Sequence, residues 1–160
     1  MRKLTVLERD LLFALTNQMQ DTAHYLDLET GEVIPVFSFN RDQILAKIKE
    51  HPSRFIRLVA QPKRLGRDMM QRFIETVRKP ELKVQLIAAL KERRPFSRFR
   101  AVLQDYPREF QRWQNFRTLF ITANLRDRLF RQGINLEVVP EPPGPLPYEP
   151  HIEEEGDEED

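Results

Sequence analysis

Apolar residues along the chain recur every three or four positions in some stretches and every second position in shorter ones, so the pattern predicts helices interleaved with strands. Near the start, Leu7, Leu11, Ala14, Leu15 and Met19 make one helical stripe. Thr5-Val6-Leu7-Glu8 has capping-box spacing, which places the start of that helix at Thr5. From His24 to Phe37 the period falls to two around Thr30-Gly31, predicting a β-hairpin. A two-residue loop sets Leu28 opposite Val33 and Leu26 opposite Pro35, with Leu26, Leu28, Val33 and Phe37 on one buried face. A three-residue loop with Gly31 in the left-handed region shifts that register by one. Pro35 cannot donate to a ladder, so its strand belongs at a sheet edge or carries a bulge.

Asn40 is placed to cap a helix over residues 41–50, with Ile44, Leu45 and Ile48 inward and His51-Pro52 as its stop. Residues 53–60, carrying Phe55, Ile56, Leu58 and Val59, read as a third strand. Leu65, Met69, Phe73 and Val77, with Met70 and Ile74, define a helix reaching Arg78. Pro80, Pro95 and Pro107 each open a further helix, since the missing N–H falls among donors that have no intrahelical acceptor. The first aligns Leu82, Leu86, Ala89 and Leu90, and the second aligns Phe96, Phe99, Val102, Leu103 and Tyr106. The third aligns Phe110, Trp113, Phe116, Phe120 and Ala123 before continuing on a drifted face with Leu125 and Leu129, which predicts contact on more than one side. Gly133 stops it, and residues 134–139 read as a final strand. The expected fold is α+β, with five to six helices against a small, mainly antiparallel sheet of three to four strands.

From Pro140 the character changes to six prolines followed by a run of acids, a composition that cannot offset its own ordering entropy. The chain is therefore expected to form a single globular domain over residues 1–139 and a disordered, Pro-rich acidic tail over 140–160. Charge sharpens this division. The tail holds nine of the 25 acids and no Lys or Arg, leaving 26 basic and 16 acidic side chains in the body, a net +10 against −9. With no Cys, disulfides, thiolate metal sites and Cys nucleophiles are excluded, which fits a cytoplasmic setting. The opening residues are not expected to act as a signal peptide, and no apolar run is long enough to predict a membrane span.

The hairpin Tyr25-Leu26-Asp27-Leu28-Glu29-Thr30-Gly31-Glu32-Val33 and the block Arg94-Pro95-Phe96-Ser97-Arg98-Phe99-Arg100 resemble a bacterial family catalogued only as uncharacterised. The Phe73-Ile74 helix, Leu86 to Leu90, Trp113 with Phe116, and the close on Gly133-Ile134 are similar too, so the resemblance covers about residues 5 to 137. Phe130 departs from it, standing where members tend to carry Trp-Leu. The resemblance implies no activity and no catalytic residues.

Two sets of side chains carry candidate chemistry. Asp27, Glu29 and Glu32 converge on the hairpin, where hard oxygen ligands suit a divalent metal or one raised carboxyl pKa serves acid-base work; the plainer reading is a solvated acidic turn. The second set is Arg-rich: Arg94, Arg98, Arg100, Arg108, Arg112 and Arg117, extended by Lys91, Arg93, Arg126, Arg128 and Arg131. Guanidinium forks match phosphate and carboxylate oxygens, so such a helical face suits an anionic protein or a nucleic acid, with the interleaved aromatics facing the core. The plainer reading here is an exposed face balanced by Glu92, Asp105, Glu109 and Asp127. His24, His51 and His151 lack ligand spacing, no Gly-rich phosphate loop or Gly-x-Ser-x-Gly elbow is present, and no cofactor is expected. The expected function is a non-catalytic cytoplasmic binding or regulatory module with an anionic partner and no membrane contact; its acidic tail either masks its own basic body or only aids solubility. The alternative is a metal-dependent hydrolase using the hairpin carboxylates.

Overall fold

A strand, not a helix, opens the chain in the computed structural model, which describes residues 1–140. Leu4 and Val6 are buried while Lys3 and Thr5 are exposed, a period of two that places Arg2–Leu7 as β1. This corrects the capping-box expectation. Helix α1, Glu8–Thr16, begins beyond Leu7 with no side-chain cap, and the Thr5 hydroxyl instead donates to Glu137 Oε1 at 3.3 Å. Thr5-Val6-Leu7-Glu8 satisfies both patterns, and burial of Leu4 and Val6 decides for the strand. The helix also stops short of Met19, which is exposed, because the Asn17 side chain accepts from the Met19 amide at 3.0 Å and turns the chain.

The described residues group into two compact units: Met1–Ala60 with the chain from Thr122 onward, and the contiguous stretch Gln61–Ile121. In the first, β1 pairs in parallel with β5, Ile134–Val139, from Arg2 opposite Ile134 to Leu7 opposite Val139. A separate antiparallel sheet has the order β3-β2-β4, with β2 at Ala23–Asp27, β3 at Val33–Val36 and β4 at Phe55–Leu58. Helix α1 packs on β1 and β3. The fold is thus α+β, with a three-stranded antiparallel sheet plus a small parallel pair and six helices among the described residues.

Neither anticipated hairpin register is the one formed. Leu26 faces Val33 and His24 faces Pro35, closing at Asp27 and Glu32 with Leu28, Glu29, Thr30 and Gly31 in the loop. Leu28 leaves the hairpin to donate its amide to Arg54 O at 2.7 Å, so the β4 side of the sheet captures it. On β3 the buried residues are Ile34 and Val36 rather than Val33 and Phe37, while Pro35 lies on an edge strand, as expected, and is exposed.

Helix α2, Arg41–Glu50, has the expected bounds, but none of its residues is buried and Leu45 is exposed. Asn40 does not cap it with its side chain; Oδ1 accepts from the Phe37 amide at 2.7 Å and Nδ2 donates to Pro35 O at 3.2 Å.

In the contiguous unit, α3 spans Arg64–Glu75, α4 Pro80–Ala89 and α5 Pro95–Leu103. Helix α6, Pro107–Arg131, starts in this unit and ends in the other. Phe73 of α3 meets Phe99, Trp113 and Phe116 edge-on, with centroids 6.1, 5.2 and 5.4 Å away. Phe99 approaches Trp113 at 4.8 Å, and Phe73, Phe99 and Trp113 are all essentially buried. Each such pair contributes about 0.5–1.5 kcal/mol beyond area burial. Gly133 ends α6 with φ +80°, and its amide donates to Phe130 O at 3.0 Å. The anticipated acidic tail lies outside the described residues, apart from Pro140.

Candidate functional site

The hairpin carboxylates separate into one buried group and two exposed ones. Asp27 is 1% exposed, and its Oδ1 and Oδ2 accept from Arg54 Nε and Nη2 at 2.9 and 2.8 Å. Oδ1 also accepts from the Glu29 and Thr30 amides at 2.9 and 3.4 Å, as an aspartate does when it organises a turn. The Arg54 hydrogen bond is the main reason its pKa falls to about 2, aided by the loop amides and opposed by burial. Glu29 reaches Arg54 Nη1 at 3.6 Å but is largely exposed, and Glu32 is linked to Asp27 through the backbone. A carboxylate held this way anchors the turn instead of offering an open ligand position. Among the described residues, no group of three or more His, Asp or Glu side chains is placed to hold a metal ion. Arg54 is the residue sequence reasoning missed. Its signal was faint: one Arg between Ser53 and Phe55, separated by 27 positions from its partner.

The six arginines of the second candidate set do not share one environment. Arg112 lies half-buried at the margin of the helical core, donating through Nε and Nη2 to Glu109 at 3.0 and 2.8 Å and through Nη1 to Thr76 Oγ1 at 2.6 Å. Its guanidinium also lies 4.5 Å from the Phe73 centroid, and the same pairing holds the Glu109 carboxyl below its ordinary pKa. Arg117 is buried, 5.6 Å from the Phe96 centroid. Arg94, Arg98 and Arg108 are exposed and Arg100 is half-buried. Arg98 borders a groove of about 280 Å³ with Ala88, Ala101, Glu92 and Asp105. Arg108 borders another of about 510 Å³ with Lys79, Tyr106 and Glu109, where the Lys79 ammonium sits 5.5 Å from the Tyr106 centroid. Both hollows carry carboxylates beside the cations, so neither is purely cationic.

The division into units reveals where the charge excess resides. Residues 61–121 hold 15 basic and six acidic side chains, a net +9, whereas the other described residues hold 11 and ten. Within this unit, Arg67 Nη1 donates to Leu90 O at 2.8 Å. That bond brings the first turn of α3, with exposed Lys63, Arg64 and Arg67, to the turn after α4, with exposed Lys91, Arg93 and Arg94. Lys63, Arg64 and Arg67 stood outside the expected set although Lys63-Arg64-Leu65-Gly66-Arg67 is a visible local cluster.

Fold and charge together define an α+β protein whose positive excess is confined to one compact helical unit. The chain belongs to the Uncharacterised protein family (UPF0158), whose profile matches residues 1–136, in agreement with the resemblance carried by its motifs. It is 32% identical over 117 residues to UPF0158 protein PA5073 of Pseudomonas aeruginosa PAO1, covering 72% of this chain and 75% of that protein. No solved structure matches it. Among the described residues, no helix is long and apolar enough to cross a membrane.

Proposed function

We propose that this protein is a non-catalytic, cytoplasmic binding or regulatory module in which the helical unit of residues 61–121 engages an anionic macromolecule. The observation that supports this reading most is the net +9 of that unit, carried on 15 basic side chains, of which Arg112 and Arg117 serve internal packing. An excess of this size in about 60 residues attracts a polyanion and makes the association strongly salt-dependent. Arg94, Arg98, Arg100 and Arg108 belong to the contact surface, while Arg112 and Arg117 hold the aromatic core beneath it. The reading takes residues 1–139 as one folding domain and 140–160 as an acidic appendage that competes for the same cations.

The test is retention of the full-length protein on immobilised heparin. Charge reversal at Arg98 and Arg108 is expected to lower the eluting salt concentration well below that of a protein reversed at Lys47 and Lys49 of α2. Equal elution of the two variants would remove the assignment to residues 61–121.

A further inference from the structure

We infer that the outer face of α4 pairs with α4 of a second copy of this chain, antiparallel across a two-fold axis, so that Glu81 and Lys91 of one chain meet Lys91 and Glu81 of the other around a seam of Val84, Ile87 and Ala88. This goes beyond the anion-binding reading and does not depend on it. Three observations carry it.

The first is that α4 is apolar on two sides. Leu82, Leu86 and Ala89 are buried, and at about 100° per residue they share one side of the helix. Val84, Ile87 and Ala88 lie on the opposite side and are exposed, Val84 by 66% and Ile87 by 42%. A helix that carries apolar residues all round belongs in surroundings that cover it all round. Its neighbours in the unit differ, since neither α3 nor α5 has an exposed large hydrophobic residue.

The second is spacing. Glu81, Val84, Ala88 and Lys91 follow one another at three, four and three positions, which keeps a single stripe in line along a paired helix. All four are exposed. The Lys91 amide donates to Ala88 O at 3.1 Å, so the chain keeps turning far enough to bring Lys91 to the end of the stripe.

The third observation selects the occupant. Glu81 and Lys91 stand five positions either side of Leu86, and Val84 and Ala88 stand two positions either side. Reversing the helix therefore exchanges a carboxylate for an ammonium and a larger side chain for a small one. That is the condition for a two-fold contact, in which each residue meets a counterpart that meets it in return. An antiparallel pair sets Glu81 against Lys91 twice, fits Val84 over Ala88, brings Ile87 beside its own copy near the axis and opposes the two helix dipoles. A parallel pair would stack Glu81 on Glu81 and Lys91 on Lys91. A foreign partner requires no such symmetry, so the stripe fits a second copy. One helix pair is a small contact, below about 1,200 Å² in total, which gives a concentration-dependent dimer in roughly the micromolar range.

The experiment is sedimentation equilibrium of the full chain from about 5 to 500 µM. The buffer holds about 0.15 M salt, where a Debye length of about 8 Å screens the repulsion between two units of net +9. The wild type is expected to rise from one chain mass toward two. Val84→Glu with Ile87→Glu changes only exposed positions, and is expected to weaken association at least about tenfold while circular dichroism stays that of the wild type. Glu81→Lys alone and Lys91→Glu alone are each expected to weaken it about threefold to tenfold, because the axis repeats the like-charge opposition. The two reversals together are expected to restore it. A single chain mass at every concentration overturns the inference, as does a dimer that folded Val84→Glu with Ile87→Glu leaves intact. Should that variant fail to fold, the charge reversals decide alone. Single reversals without effect, or a double reversal that weakens association further, overturn the antiparallel pairing.

Discussion

Asp27 shows how one side chain fixes a loop that two plausible registers leave open. Arg54 and the Glu29 and Thr30 amides converge on its carboxylate. Because its folded-state pKa of about 2 lies below its ordinary value of 3.8, the stabilisation is complete above roughly pH 4 and is lost as pH falls through 2. Asp27→Asn is expected to destabilise the protein by about 2 kcal/mol at neutral pH and to flatten the acid limb of its stability curve, as followed by urea unfolding from pH 7 downward. His24 works in the same direction at higher pH. Buried and edge-on to the Phe13 ring at 5.6 Å, it titrates below 6.5, so stability also declines as pH drops beneath that value. Gly31 is the third fixed point, with φ +83° and a would-be Cβ 2.0 Å from Thr5 O. Gly31→Ala must move backbone, and a loss of at least about 2 kcal/mol in thermal or chemical unfolding is the expected result.

Elements differ in how much each contributes, and burial predicts the ranking. Trp113→Ala in α6 is expected to cost about 3–5 kcal/mol, because its ring contacts Phe73, Phe96 and Phe99. Leu45→Glu in α2, which buries no residue, should fall within about 0.5 kcal/mol of wild type in the same assay. These two helices also mark the limit of what the sequence made legible. Helices α3 to α6 could be read directly because prolines open three of them and apolar residues repeat every four positions along local stripes. The pattern in α2 gave the helix but not its exposure, since amphipathicity does not reveal whether a partner surface exists. Strand β1 was missed because its partner, β5, lies over 130 positions away, and a capping-box spacing offered a local competitor. The different environments of the arginines were hidden for a related reason. Arg112 and Arg117 look like their neighbours in sequence, and only Glu109, Thr76 and the rings of Phe73 and Phe96 distinguish them.

For the whole molecule, the division of charge yields a prediction of its own. Ending the chain at Val139 removes nine acids and raises the net charge from +1 to +10, so binding to an anionic probe at low salt is expected to tighten. Equal affinity with and without residues 140–160 would mean that the acids do not compete for the cations. Cooperativity can be checked as well. Since α6 runs continuously from one compact unit into the other, Trp113 fluorescence and far-UV circular dichroism are expected to report one coincident unfolding transition. Two separated midpoints would assign the units independent stability.

The parallel pairing of β1 with β5 places demands on the order of events during synthesis. Residues 61–121 are contiguous and can condense as soon as they are made, whereas Leu4 and Val6 have no strand to join until Ile134 and Leu136 have been added. Strand β1 is thus made long before its partner, and until β5 follows it presents an unpaired edge to other nascent copies.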